Sequence, residues 1–116
     1  MAVTAQATGT KTTAVGTTPD LLANVAVAGT YTLHVDTNAM AAGDVLYISI
    51  KQMVLTAGTA RYVYDMRYDG VQPAKDLIKI SVPISNELTD STALVFEINQ
   101  TAGTARAFPW KILRYA

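Results

Sequence analysis

The only histidine in this 116-residue chain is His34, the first residue to consider for acid–base chemistry. A serine triad would need it, but the chain has no Gly-x-Ser-x-Gly elbow. A zinc site needs several nitrogen or sulfur ligands, and one histidine with no cysteine cannot supply them. His34 also alternates with Leu33 and Val35, which sets it on the polar face of a strand, as a solvent-facing or interface residue. Asp65 and Asp69 in Tyr64-Asp65-Met66-Arg67-Tyr68-Asp69-Gly70 lack the spaced acids and terminal glutamate of a calcium loop. Strand spacing puts Asp65 on one face with Arg61, Val63 and Arg67, which points to charge compensation. No carboxylate pair has a spacing that suggests glycoside hydrolysis. Gly9 and Gly16 lack the strand-to-helix context of a phosphate loop. Tyr62, Tyr64 and Tyr68, with Met66, form a stripe that a sugar-binding face or an interface could use, although core packing is the simpler expectation. Asn99-Gln100-Thr101 fits the glycosylation pattern, but no secretory leader pattern accompanies it. The residues therefore point away from an enzyme, with no catalytic, cofactor-binding or metal-ligating set.

Composition points the same way. Nine basic and nine acidic residues cancel, with no run of like charge, so there is no excess to neutralise a phosphate backbone and nucleic acid is not expected as a partner. No segment approaches the ~20 apolar residues that span a bilayer, so no membrane partner is expected either. A low charged fraction with zero net charge favours association. Without cysteine there is no disulfide, yet a chain of this length can build one core unaided.

The elements that would position these residues are strands. Period-two alternation runs over residues 30–36, 44–55, 61–68, 77–84, 92–99 and 106–115. The apolar sets are Tyr31, Leu33 and Val35; Leu46, Ile48, Ile50 and Val54; Tyr62, Tyr64, Met66 and Tyr68; Ile78, Ile80, Val82 and Ile84; Leu94, Phe96 and Ile98; and Phe108, Trp110 and Ile112. Glycine-bearing breaks at 27–30, 41–44 and 69–73 supply turns. Pro83 and Pro109 fall inside strand patterns and should sit at an edge, a bulge or a strand end. With one or two further strands in residues 3–27 and no long helix, the chain reads as all-β: one antiparallel β-sandwich, jelly-roll-like, of seven or eight strands.

Thr56-Ala57-Gly58-Thr59-Ala60-Arg61 recurs letter for letter as Thr101-Ala102-Gly103-Thr104-Ala105-Arg106. Each copy lies between alternating runs, so each reads as a hairpin tip whose glycine takes positive φ. If both tips leave the same end of the sandwich, they would lie side by side as a contact surface.

Residues 1–18 are mostly alanine, threonine, glycine and valine, with Lys11 the only charge. They have little apolar surface to offset their ordering entropy. They read as an extended or flexible N-terminal arm, with residues 19–116 as the β-sandwich domain, and removal of the arm is expected to leave that domain folded. The arm would order by strand addition on a neighbouring subunit, which uses main-chain hydrogen bonds.

This low-complexity arm, together with the stretches Leu33-His34-Val35-Asp36 through Gly43-Asp44-Val45-Leu46-Tyr47-Ile48, resembles the small head-decoration (cement) proteins of tailed bacteriophages. The resemblance implies a structural virion protein that seats on the capsid surface, bridges subunits of the major capsid protein, and self-associates, often as trimers. It also implies synthesis in the host cytoplasm. The alternative is a carbohydrate-binding module or fibre-type adhesion domain. The expected interface residues are Thr4, Thr8, Lys11 and Thr13 of the arm, with Thr56, Gly58, Thr59, Thr101, Gly103 and Thr104 of the two repeats.

Overall fold

The computed structural model describes residues 2–116 and is all-β. Nine strands follow in order: β1 (Val3–Thr12), β2 (Asp20–Val25), β3 (Gly29–Asp36), β4 (Val45–Gln52), β5 (Arg61–Asp69), β6 (Ile78–Ile80), β7 (Ile84–Asn86), β8 (Leu94–Ala102) and β9 (Ala107–Tyr115). One sheet has the order β1-β9-β3-β6, with β7 also on β3; the other has the order β2-β8-β4-β5. β6 and β7 lie on the same side of β3 and act as one strand interrupted at 81–83. Counted so, the antiparallel ladders join first strand to eighth, second to seventh, third to sixth and fourth to fifth. That is one long hairpin rolled into two sheets, the jelly-roll order.

The core lies between the sheets. Tyr31, Leu33 and Val35 of β3 and Leu94, Phe96 and Ile98 of β8 are fully buried, as their alternation predicts. Leu46, Ile48 and Ile50 of β4 and Phe108 and Ile112 of β9 complete the two inner faces, with Trp110 packed against them. Tyr31 and Phe96 meet edge-to-face across the sheets, with ring centroids 6.5 Å apart. Burying each such side chain contributes roughly 1.5–3 kcal/mol.

Four sequence expectations change. The segment 1–18 is not separate from the sandwich: Val3–Thr12 is the edge strand β1, laddered along its length with β9 of the same chain. Its small side chains suffice because β9 supplies the hydrogen-bond partners and Gly9 leaves room for the Trp110 ring. Second, 77–84 is inverted. Lys79 and Ser81 point inward and are buried, while Ile78, Ile80 and Val82 are about half exposed. Pairing dictates this: Val35 lies opposite Lys79, so Lys79 shares the inner face of β3. The Lys79 stem crosses the core rim to place its ammonium 2.8 Å from Asp76 and 4.8 Å from the centre of the Tyr68 ring. Ser81 Oγ accepts the Leu33 N–H at 2.9 Å. The break at Pro83 then returns Ile84 to the core. Third, β4 ends at Gln52, so Met53 turns inward and Val54 is 80 % exposed, opposite to the alternation. Fourth, a bulge at Ile50/Lys51 splits the tyrosine stripe. Tyr64, Met66 and Tyr68 face inward beside Ile50, Ile48 and Leu46, whereas Tyr62 pairs with Lys51 on the outer face, its ring centre 4.9 Å from the ammonium. Pro109 sits inside β9 where the β3 ladder stops, the last pair being Val35–Trp110, so its missing donor faces no partner strand there.

Candidate functional site

The two copies of the hexapeptide have different structures. Thr56–Arg61 belongs to the connection of the antiparallel pair β4–β5, a hairpin as expected. Thr101–Arg106 joins β8 of one sheet to β9 of the other, so it is an arch between sheets and not a hairpin. The left-handed residue also differs: Ala57 at φ 59° in the first copy, Gly103 at φ 91° in the second. Gly58 has no positive φ. The copies lie at opposite ends of the sandwich, because β4 meets the arch at Val45–Ala102 and the hairpin at Gln52–Arg61. They form no joint surface.

Each copy is held by an aspartate from elsewhere in the chain. In the hairpin, Asp90 accepts the Thr56 hydroxyl at 2.8 Å and the Ala57 N–H at 2.9 Å. Those two donors, Ala57 first, lower the Asp90 carboxyl below its usual range. In the arch, Asp44 is buried and accepts the Arg106 guanidinium and the Ala41 N–H at 2.9 Å each, with the Thr104 N–H at 3.3 Å. Burial by itself would raise the Asp44 carboxyl, but the donors from Ala41, Arg106 and Thr104 outweigh it and hold the carboxyl low. Gln100, fully buried, ties the same arch together: its amide donates to the Ala102 and Thr104 carbonyls at 3.1 and 2.7 Å, and its Oε1 accepts from the Thr13 hydroxyl.

The expected interface residues therefore separate into three groups. Thr4 and Thr8 of β1 are exposed, and Lys11 is half-buried. Thr13 is buried, bound to Gln100 and Arg106, and has no free surface for a partner. Thr56, Gly58 and Thr59 are exposed at one end of the molecule; Thr101, Gly103 and Thr104 are exposed at the other. The arch lies next to the end of β1, since the Thr13 N–H donates to the Arg106 carbonyl, the Arg106 N–H donates to the Thr13 hydroxyl, and Thr12 pairs with Ala107.

Two surfaces have the geometry of contact sites. The first is the free side of β1. This strand ends its sheet, runs for ten residues, has no proline and holds one charge, Lys11. Natural edge strands are usually guarded by charge, proline or brevity. The other long edge, β5, has Arg61, Asp65, Arg67 and Asp69, and β2 is shorter. The second surface is a shallow cleft of about 330 Å³ on the outer face of the other sheet, lined by Tyr47, Tyr62, Asp65, Asn99 and Thr101, with Thr17 and Pro19 at its rim. Asn99 Oδ1 and, nearby in β8, Glu97 Oε1 are buried acceptors without a hydrogen-bond donor among the described residues. Lys51 approaches Glu97 at 3.7 Å, close enough for charge pairing. The Asp65 carboxylate accepts the Ser49 hydroxyl at 2.6 Å. The bulge that turns Tyr62 outward places its ring in the wall of this cleft, and strand alternation alone gave no sign of it.

His34 lies on the outer face of the first sheet, with its Nε2 3.0 Å from the Thr32 hydroxyl, which is in turn 3.1 Å from the Tyr115 hydroxyl. Burial, and after it the Lys111 ammonium, lower the His34 imidazole. Among the described residues, no three His, Asp or Glu side chains gather as metal ligands would. No family model, curated protein or solved structure matched the chain.

Proposed function

We propose that this protein is a structural virion component that decorates a phage capsid and bridges subunits of the major coat protein. The observation that carries the reading is the unguarded edge of β1: a ten-residue strand whose alternate residues present main-chain donors and acceptors on its free side, with almost no charge to repel a second strand. The zero net charge suits a protein that works inside an assembly. In this reading the N-terminal segment is an edge already docked on β9, which offers its outer side to a coat subunit. It does not need to reach across a gap. Repetition over a capsid lattice makes each such contact effective through avidity.

Co-sedimentation with purified phage capsids tests the proposal. The protein should pellet with capsids and saturate at a fixed ratio to coat subunits. The double substitution Thr4→Lys, Thr8→Lys guards the edge with cations and should release the protein without changing its thermal unfolding. Wild-type protein that stays in the supernatant would sink the reading.

A second reading, a glycan-binding module, draws on the cleft between Tyr47 and Tyr62. Asp65, Asn99 and Thr101 supply polar groups to its lining, and aromatic walls suit the apolar faces of sugars. Binding on a glycan array, lost in Asn99→Ala and Tyr62→Ala, would support it; a blank array would remove it. Jelly rolls serve both capsids and lectins, so the fold alone does not choose between them.

A further inference from the structure

We infer that the free edge of β5 pairs with β5 of a second copy, antiparallel about a two-fold axis at Met66. This goes beyond the capsid reading, which uses the opposite side of the molecule.

The sandwich is open along β5. Met66 faces inward, opposite Ile48 of β4, yet Met66 is 44 % exposed while Ile48 is 2 % exposed. The cause lies across the gap: the facing edge of the other sheet is the broken strand β6–β7, interrupted at 81–83. Tyr64 and Tyr68 flank Met66 on the same inner face and are only half-buried. Tyr64 and Tyr68 pack against the core and Lys79 lies over Tyr68, so Met66 is the residue of this row left open, and a strand added beside β5 would cover it laterally.

The charges on the other face of β5 identify that cover. With Met66 opposite Met66 of the partner copy, Asp65 faces Arg67 and Arg67 faces Asp65, two opposite-charge pairs related by the two-fold axis. On the inner face, Tyr64 faces Tyr68. The neighbouring registers fail. An axis at Asp65 sets Asp65 against itself. An axis at Tyr64 sets Asp65 against Val63 and carries Arg67 past the bulge, so it makes no charge pair. An axis at Arg67 sets Arg67 against itself and Asp65 against Asp69. Odd registers would mix the apolar and charged faces. An axis at Tyr68 also sets Arg67 against Asp69, but it engages only residues 67–69 at the end of the strand and leaves Met66 opposite Gly70, outside β5. The Met66 axis is thus the register that pairs the charges and also covers Met66.

Existing contacts do not conflict with this pairing. Asp65 holds Ser49 through Oδ1, leaving Oδ2 for the partner's arginine. Arg67 is bound to Asp69 at 2.7 and 3.2 Å, on an exposed surface where the guanidinium can be shared. The result is a continuous eight-stranded sheet across two copies, with β1 left free at each outer side.

The chain has no cysteine, so a Met66→Cys variant reports the axis directly. Paired antiparallel residues stand about 4.5–5.5 Å apart at Cα, within the span a disulfide bridges. Under mild oxidation Met66→Cys should form covalent dimer much faster than Thr59→Cys, a control on the exposed hairpin loop, or Thr8→Cys, which reports pairing through β1. In sedimentation, Arg67→Asp should raise the dimer dissociation constant by roughly tenfold, about 1.4 kcal/mol. The double reversal Asp65→Arg, Arg67→Asp should recover it. Cross-linking of Met66→Cys no faster than Thr59→Cys overturns the inference, as does a dimer that Arg67→Asp leaves unchanged. Circular dichroism on each variant shows that it has folded. Since no capsid enters either measurement, failure here leaves the capsid reading untouched.

Discussion

Ala57 and Ala102 occupy the same place in identical hexapeptides, yet they do different work. Ala57 adopts φ 59°, a left-handed conformation that costs a non-glycine residue about 1 kcal/mol. Ala102 ends strand β8 with ordinary backbone. Ala57→Gly should therefore stabilise the protein or leave it unchanged, while Ala102→Gly should cost roughly 0.5–1 kcal/mol through chain entropy. Urea denaturation of the pair checks this, and equal effects would contradict the assigned geometry. Gly103→Ala should be worse than either, because a Cβ there collides with the Asp44 carboxylate and Cα at φ 91°. Asp44 itself carries an acid dependence. Its folded carboxyl lies below the unfolded value of about 3.9, so its stabilisation is complete above that value and fades as pH falls through the folded one. Asp44→Asn should lower stability near pH 7 by about 2 kcal/mol and flatten the acid slope between pH 5 and the folded value. A slope unchanged by the substitution would place the acid response elsewhere. None of this was legible from the repeat alone, since Asp44 and Asp90 are distant in sequence from the segments they hold.

At the scale of elements, alternation located five of the six strands expected from 30 onward within a few residues, while the sixth, 77–84, is two short strands broken at 81–83; it oriented β3, β8 and β9 correctly. It failed where neighbours overruled it. β6 takes its facing from the ladder with β3, which places Lys79 beside Val35 on the inner side. The bulge in the β4–β5 pair turns Tyr62 away from Tyr64. The N-terminal segment was the largest departure. Its composition suggested a loose arm, but a strand can order with small side chains when a complete partner strand supplies the hydrogen bonds. Two outcomes follow. Limited proteolysis of free protein should spare residues 3–13 and cut first in the exposed loops 54–59 and 71–76. Deleting residues 2–12, once expected to leave the domain intact, should abolish cooperative unfolding, because it strips β9 of its outer ladder and uncovers Trp110. A truncated chain with a normal, cooperative transition would show that β1 contributes little.

For the whole molecule, the two sheet ends differ in what they offer. One side presents β1, long and nearly uncharged; the other presents β5, charged in a self-complementary order. In the two proposals together, the molecule pairs with a copy of itself through β5 and with a different strand through β1, the arrangement that repeated placement on a lattice would use. Phe96→Ala in the shared core should cost about 3–5 kcal/mol, since Phe96 is fully buried against Tyr31 of the opposite sheet. That loss, read by denaturation, would separate general unfolding from the specific effects of the edge variants. By itself the sequence determined the all-β class, the strand positions and most of the core, because side-chain alternation is a local property of an extended chain. Only the tertiary structure decided which ladder each strand joined. With it came the inward turn of Lys79, the outward turn of Tyr62, the docking of β1 and the separation of the two hexapeptides to opposite ends. The physical reason is that facing and pairing are settled between strands, most of them far apart in sequence, where a hydrogen-bond ladder outweighs the preference of any single side chain.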